Sequence, residues 1–307
     1  FVGGVLRIEG FEIKGNVATG TAMIGDFCGA DDGYTSLEPG KVVINNNGFT
    51  GTMGGINFWG NTACADGKAP RLENFEITNN QFTGLVAAGG YPGYGILLER
   101  LSTWAEAKNA FAGVVSGNTF TNIASGGTGA NQQGVAILVN MPQDPVEVGS
   151  SNVSIQNNTV GTGVAAGVGV FTADASAAKV EINKFVNGGI GVSNAAAAGS
   201  LDASPNWWGQ ATGPAAGQVV GNTTSYIPWC GDAACTEFAG PVTNLTQHTG
   251  YATIQAAITA ANAGDVIEVG AGTYPEHLLI NTPLTLQGAP NWVAKIVGDI
   301  GIKASYV

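Results

Sequence analysis

The sequence predicts an all-β fold, a parallel solenoid, from three observations. A phrase recurs along the chain, an alternating apolar strand running into asparagine, then an apolar residue, then Thr or Gly: VVINNNGFTG from Val42, FEITNNQFTG from Phe75, GVVSGNTFTN from Gly113 and VSIQNNTVGT from Val153. A second phrase follows each first one: GINFWGN from Gly55, YGILLER from Tyr94, GVAILVN from Gly134, GVGVFTA from Gly167 and GIGVSNA from Gly189. The third observation is composition. The 307 residues include 48 glycines, and only 11% are charged, against about 25% in an average globular chain. Gly and Asn suit tight turns, and 44% hydrophobic residues supply a continuous core, so low charge does not mean disorder.

Each element follows from these phrases. The first strands return at intervals of 33 residues (Ile44 to Ile77), 38 (to Val115) and 40 (to Ile155), so one coil closes about every 33 to 40 residues and the variation falls in loops. The second strands carry a period-2 pattern. Aligned by their glycines, Ile56, Ile96, Val135 and Val168 form one inward row and Phe58, Leu98, Ile137 and Val170 another. Asn46/Asn47, Asn79/Asn80, Asn118 and Asn157/Asn158 suit a turn in which a side-chain amide bonds the coils above and below. Near the C-terminus Thr253 is placed as an N-cap, Ile254, Ala257, Ile258 and Ala261 share one helix face, and Gly264 offers a stop. The apolar stripe of this short helix suits the open end of a solenoid.

The chain resembles right-handed parallel β-helix proteins of the pectin-lyase-like superfamily, in a repeat form of extracellular or adhesin type. SPNWWGQATGP, Ser204 to Pro214, is similar to a segment near the end of many such proteins, and YATIQAAITAANAGDVIEVGAGTYPEHLLINTPLTLQG, Tyr251 to Gly288, looks like the opening of the same fold. The resemblance implies a body over residues 1–227, a Pro/Gly/Cys-containing joint over 228–250, and a capping helix with the first coils of a following β-helix over 251–307. The closing motif thus precedes the opening one. VLRIEGFEIKGN, Val5 to Asn16, reads as the coil that should follow KIVGDIGIKASYV, Lys295 to Val307. Three readings fit: one period of a tandem array, subunits completing one another head to tail, or a truncated two-domain protein.

Charge and cysteines bound the function. A net charge of −11 and a pI near 4.4 argue against nucleic acid, an anionic membrane surface or acidic polysaccharide as direct partners. No apolar run approaches the ~20 residues of a membrane span, so membrane insertion is not expected. Cys28 and Cys64 lie about one coil apart, and Cys230 and Cys235 sit in PWCGDAACTEF; an even count favours two bridges over a metal site of four thiolates, which lacks C-x2-C spacing. An extracellular or cell-surface location is expected.

Chemistry-bearing residues are few. Asp26, Asp31 and Asp32 offer the one candidate calcium loop, and calcium is the only cofactor the sequence suggests, the alternative being a solvated loop tethered by Cys28. Glu99 and Arg100, with Glu106 nearby, could line a groove, but no coil offers a pair of facing carboxylates such as a glycosidase needs. Lyases of the resembled superfamily use an arginine base; Arg7, Arg71 and Arg100 lie in no matching motif. GTYPEH, Gly272 to His277, is similar to a structural turn of its carbohydrate esterases. His248 and His277 read as surface residues. Trp59, Glu99, Leu138 and Phe171 are expected in one outward row, with Tyr91, Tyr94 and Trp104 on nearby loops. That aromatic stripe is covered by loops, makes a lateral fibre contact, or stacks neutral sugars. Trp207 and Trp208 read as a plug closing a coil. No catalytic residue is assigned. The expectation is a structural or adhesive β-helix partnered by itself, head to tail through its terminal coils. The alternatives are a carbohydrate-active lyase or hydrolase and a neutral-glycan-binding module.

Overall fold

The computed structural model describes residues 5–14, 21–26, 41–59, 72–87, 93–99, 111–126, 134–141, 152–172, 174–288 and 294–303. They divide into two compact units: Phe1–Ala203 with Ala215–Ser225, and Ser204–Pro214 with Tyr226–Val307. Among the described residues the fold is an all-β parallel solenoid with one short α-helix.

In the first unit the chain visits three parallel sheets in turn. The first sheet stacks Val5–Glu9, Lys41–Asn45, Leu72–Thr78, Phe111–Ser116, Asn152–Gln156, Ala178–Glu181, Leu201–Asp202 and Thr224–Ser225. The second stacks Glu12–Lys14, Gly48–Thr50, Gln81–Leu85, Thr119–Ile123, Thr159–Val160 and Lys184–Phe185. The third stacks Thr21–Asp26, Gly54–Trp59, Tyr94–Glu99, Val135–Met141, Ala166–Thr172, Ile190–Asn194 and Val219–Gly221. The first six coils each contribute one strand per sheet, the coil of Leu201–Asp202 skips the second sheet, and every strand bonds the strand one coil away.

The turn from the first sheet to the second explains the asparagines. Asn47, Asn80, Asn118, Asn158 and Asn183 are all buried and form a continuous ladder: each Nδ2 donates to the next Oδ1 at 2.9–3.0 Å. The same oxygens accept the backbone N–H of the preceding rung. The five ladder amides are thereby satisfied, which in an enclosed turn avoids about 1–3 kcal/mol per orphaned group. The residue before each rung takes the left-handed conformation, at Asn46, Asn79, Gly117, Asn157 and Ile182 with φ between 55° and 68°. Asn and Gly adopt it readily, which is why the phrase reads NN or GN.

Inside the second sheet, Phe49, Phe82 and Phe120 stack face to face with centroids 4.8 Å apart, the spacing of the strands that carry them. Val160 and Phe185 continue the row, and all five are fully buried. The rings of Phe82, Phe120 and Phe185 press on the third sheet of the preceding coil. A methyl group at Gly55 would lie 2.4 Å from the Phe82 ring, one at Gly95 2.4 Å from Phe120, and one at Gly167 2.7 Å from Phe185. Val160 is the one small member, and the residue in line with Gly95 and Gly167 on the coil before it is Ala136.

That packing also corrects the expected rows. Pairing aligns Ile56 with Ile96, Ile137 and Val168, and Phe58 with Leu98, Val139 and Val170. Val135 instead faces Tyr94 and Ala166. Val135, Ile137 and Val139 are all apolar, so alternation alone tolerates a slide of two residues. The need for a small residue behind the rings removes that freedom.

The second unit contains a capped solenoid start. Val242–Asn244 pairs antiparallel with Thr249–Tyr251 and with Val266–Val269. Two coils follow, joined by the parallel pairs Val266–Val269 with Thr285–Gly288, Gly272–Tyr274 with Ala294–Ile296, and Leu278–Ile280 with Ile300–Ile302. The helix Ile254–Ala260 buries Ile254, Ala257 and Ile258 against Val242, Ile267, Val269, Tyr274 and Leu278. Thr253 caps it, accepting from Ala256 N–H at 3.1 Å. The helix stops at Ala260, before Gly264: Ala261 is already extended, and Asp265 accepts the N–H of Asn262 at 2.8 Å. Among the described residues, no helix is long and apolar enough to cross a membrane.

Candidate functional site

Two kinds of surface carry the sequence-derived candidates, the outer face of the third sheet and the terminal coils. On the third sheet, backbone pairing puts Trp59 beside Glu99, Glu99 beside Asn140, and Asn140 beside Phe171. Asn140 thus holds the place expected for Leu138, another effect of the two-residue slide. Leu138 pairs with Leu97 and Gly169, and its Cδ1 lies over Gly169, 2.9 Å from where a Cβ would stand. Phe171 is 39% exposed. Tyr94 is half-buried with its ring across Gly54. The side chains of Trp59 and Glu99, and residues Tyr91, Arg100, Trp104 and Glu106, lie outside the described residues, as do Arg71, Asp31, Asp32 and the side chain of Asp26. Among the described residues no group of three His, Cys, Asp or Glu could hold a metal ion.

Cys230 and Cys235 form a disulfide with Cα atoms 4.7 Å apart; Cys28 and Cys64 lie outside the described residues. The bridge closes a small antiparallel pair, Trp229–Cys230 with Phe238–Ala239. Asp232 sits inside it, accepting from the Thr236 hydroxyl at 2.5 Å, the bond that does most to hold its carboxyl below the usual carboxylate range, and from Thr236 N–H at 2.7 Å. The NWWG segment clasps the same hairpin. Ala211 O accepts the Trp229 indole N–H at 2.9 Å, Asn206 O accepts Cys230 N–H, and Gly213, at φ +84°, lies flat on the Trp229 ring. Trp208 is buried.

Residues of the capping region have structural partners. Glu276, from the GTYPEH turn, accepts the first helix N–H groups, Ile254 at 3.0 Å and Gln255 at 2.9 Å, where a carboxylate complements the positive helix end. Gln255 in turn grips Leu279, accepting its N–H at 2.7 Å and donating to its carbonyl. His277 is exposed beside Asp299, and the carbonyl of His248 accepts Phe238 N–H.

The ends are chemically distinct. In the last coil of the second unit, Ile300 is in register with buried Leu278 and Ile302 with buried Ile280, so both belong to the inward row. They are nevertheless 49% and 70% exposed, and Val297 nearby is 48% exposed. The first coil of the first unit places Ile8 in register with Ile44, and Ile13 with Phe49. Ile44 and Phe49 are buried, whereas Ile8 and Ile13 are only half-buried. At the position of the asparagine rungs this coil carries Phe11, 60% exposed, whose N–H donates to Asn47 Oδ1 at 3.0 Å.

Sequence reasoning missed two of these features. Asn183 escaped because its coil is only 25 residues from the previous rung and is preceded by Ile182 rather than Asn or Gly. Phe11 escaped because nothing in VLRIEGFEI marks the rung position until the ladder is seen. Comparison with protein-family models, with curated proteins and with solved structures returned no match.

Proposed function

We propose that this chain is an extracellular structural or adhesive β-helix of the right-handed, pectin-lyase-like type, one period of a head-to-tail fibre, stalk or tandem-repeat surface protein. The observation that carries the reading is the exposure of Ile300 and Ile302, 49% and 70%, in the register of a buried row. A solenoid end of this kind leaves apolar surface and unpaired strand edges, which favour addition of a further coil. The Cys230–Cys235 bridge fits an oxidising compartment. Across the first unit, the asparagine ladder and the ring stack tie successive coils together, which suits an elongated structural body. Sedimentation and electron microscopy of the purified chain test this. Linear assemblies that shorten or vanish on deleting Thr253 to Val307 are expected; a monomer at every concentration overturns the reading. A second reading, a neutral-glycan platform, is favoured by Phe171, 39% exposed on the third sheet, in line with the backbone of Trp59.

A further inference from the structure

The two ends fit each other in one register, and the fit concerns individual residues. In the first unit the inward residue of the first strand and the stacked residue of the second are always five apart: Ile44 and Phe49, Ile77 and Phe82, Val115 and Phe120, Ile155 and Val160, Val180 and Phe185. The first coil keeps this frame with Ile8 and Ile13. The second unit keeps it too, with Val269 and Tyr274, both buried. Pairing carries those two positions to Gly288 and Ile296 on the last coil.

We infer that the last coil of the second unit receives the first coil of another copy of this chain, with Gly288 beside Ile8, Ala294 beside Phe11, Lys295 beside Glu12 and Ile296 beside Ile13. This rests on the head-to-tail reading and deepens it by naming the partner surface and its register.

Three independent features favour this register. The first is shape. Phe11 occupies the rung position and projects a ring that is 60% exposed; the positions aligned with it across the junction are Ala294 and, one coil further, Gly272. Both are small, so no large side chain stands opposite the ring in its own row. The second is charge. In a chain of net charge −11, like-sign contact between copies is the default. Here an exposed lysine, Lys295, meets an exposed glutamate, Glu12, and Gln287 meets Arg7. The third is the backbone. Among the described residues, the strands of both coils are the outermost members of their sheets, the place at which parallel addition of a coil extends a sheet. Phe11 then acts as the buried aromatic anchor of the contact, and the asparagine ladder begins immediately behind it, at Asn47.

The test uses the full chain and reads the association constant by sedimentation velocity at low and moderate salt. Phe11→Asp, at an exposed position and with an unchanged circular dichroism spectrum, is expected to weaken association by roughly tenfold or more. Glu12→Lys, which opposes two lysines, is expected to weaken it by roughly three- to tenfold at low salt and less at higher salt. Adding Lys295→Glu to that variant restores it. Fibres indifferent to Phe11→Asp and to the charge reversal would overturn this register while leaving the head-to-tail reading in place. A chain that stays monomeric under every condition overturns both.

Discussion

Single residues decide where charge and polarity are tolerated in this chain. Asp265 is 4% exposed, yet its carboxylate collects the Asn244 amide at 2.8 Å, the Asn262 N–H at 2.8 Å and the Gln247 amide at 2.5 Å. The Asn244 bond, followed by the Asn262 bond, holds its pKa below the usual value, against the opposing effect of burial. A carboxyl depressed by folding contributes stability that is present above its unfolded pKa, about 3.9, and lost as pH falls through the lower folded value. The cap of the second unit should therefore melt at progressively lower temperature as pH falls below about 4, with Asp265→Asn flattening that dependence. Thermal melts of both proteins between pH 2 and 6 check this; parallel curves for the two would remove Asp265 as the cause. Asp265 was not legible in the sequence. It opens the strand DVIEVG, and only the fold brings Asn244 and Gln247 from the preceding hairpin onto its oxygens.

Elements were far more legible than residues. The first strands and their asparagines were read in register because the phrase fixes three positions at once: an inward apolar residue, a turn amide, and a stacked ring five residues on. The third-sheet strands were read two residues out at Val135, because an unbroken apolar alternation has no marker within it. The marker lies on another sheet, in the ring that each small residue must clear. This gives a double-mutant test. Val160→Phe alone drives a ring toward Ala136 and should cost about 1–3 kcal/mol by overpacking. Ala136→Gly alone should cost about 1 kcal/mol by loosening the strand. The two together should recover most of the loss, with a coupling of at least ~1 kcal/mol in denaturant unfolding. Simple additivity would mean that ring and small residue do not set each other's size. The helix was legible from its cap and stripe, but not its grip on the coil. The Glu276 carboxylate at its N-terminus and the Gln255 amide on Leu279 come from residues that local periodicity treats as surface.

At the scale of the whole molecule, stability in stacked coils is nearest-neighbour, so protection should fall toward a coil with one neighbour. Amides of Ile300–Ile302 are expected to exchange faster than those of Leu278–Ile280, and assembly should slow them selectively; equal protection in dilute monomer would show that the last coil is closed by something else. The solenoid class was legible because a repeat announces itself. The lateral row was only partly so, since pairing exchanged Leu138 for Asn140. The interlock of ring and small residue also bears on how such a chain can change length by recombination. A ring belongs to one coil and its small partner to the coil before, so the heritable module is out of phase with the coil. Excising Asn152 to Ala177, a whole turn counted from the first sheet, would set Ala136 against Phe185. Excising Ala136 to Ala166 removes both odd members together and leaves Gly95 against Phe120 and Gly167 against Phe185. Coils can be gained or lost silently at junctions just ahead of the small residue, and a lineage of such proteins should carry its length differences there.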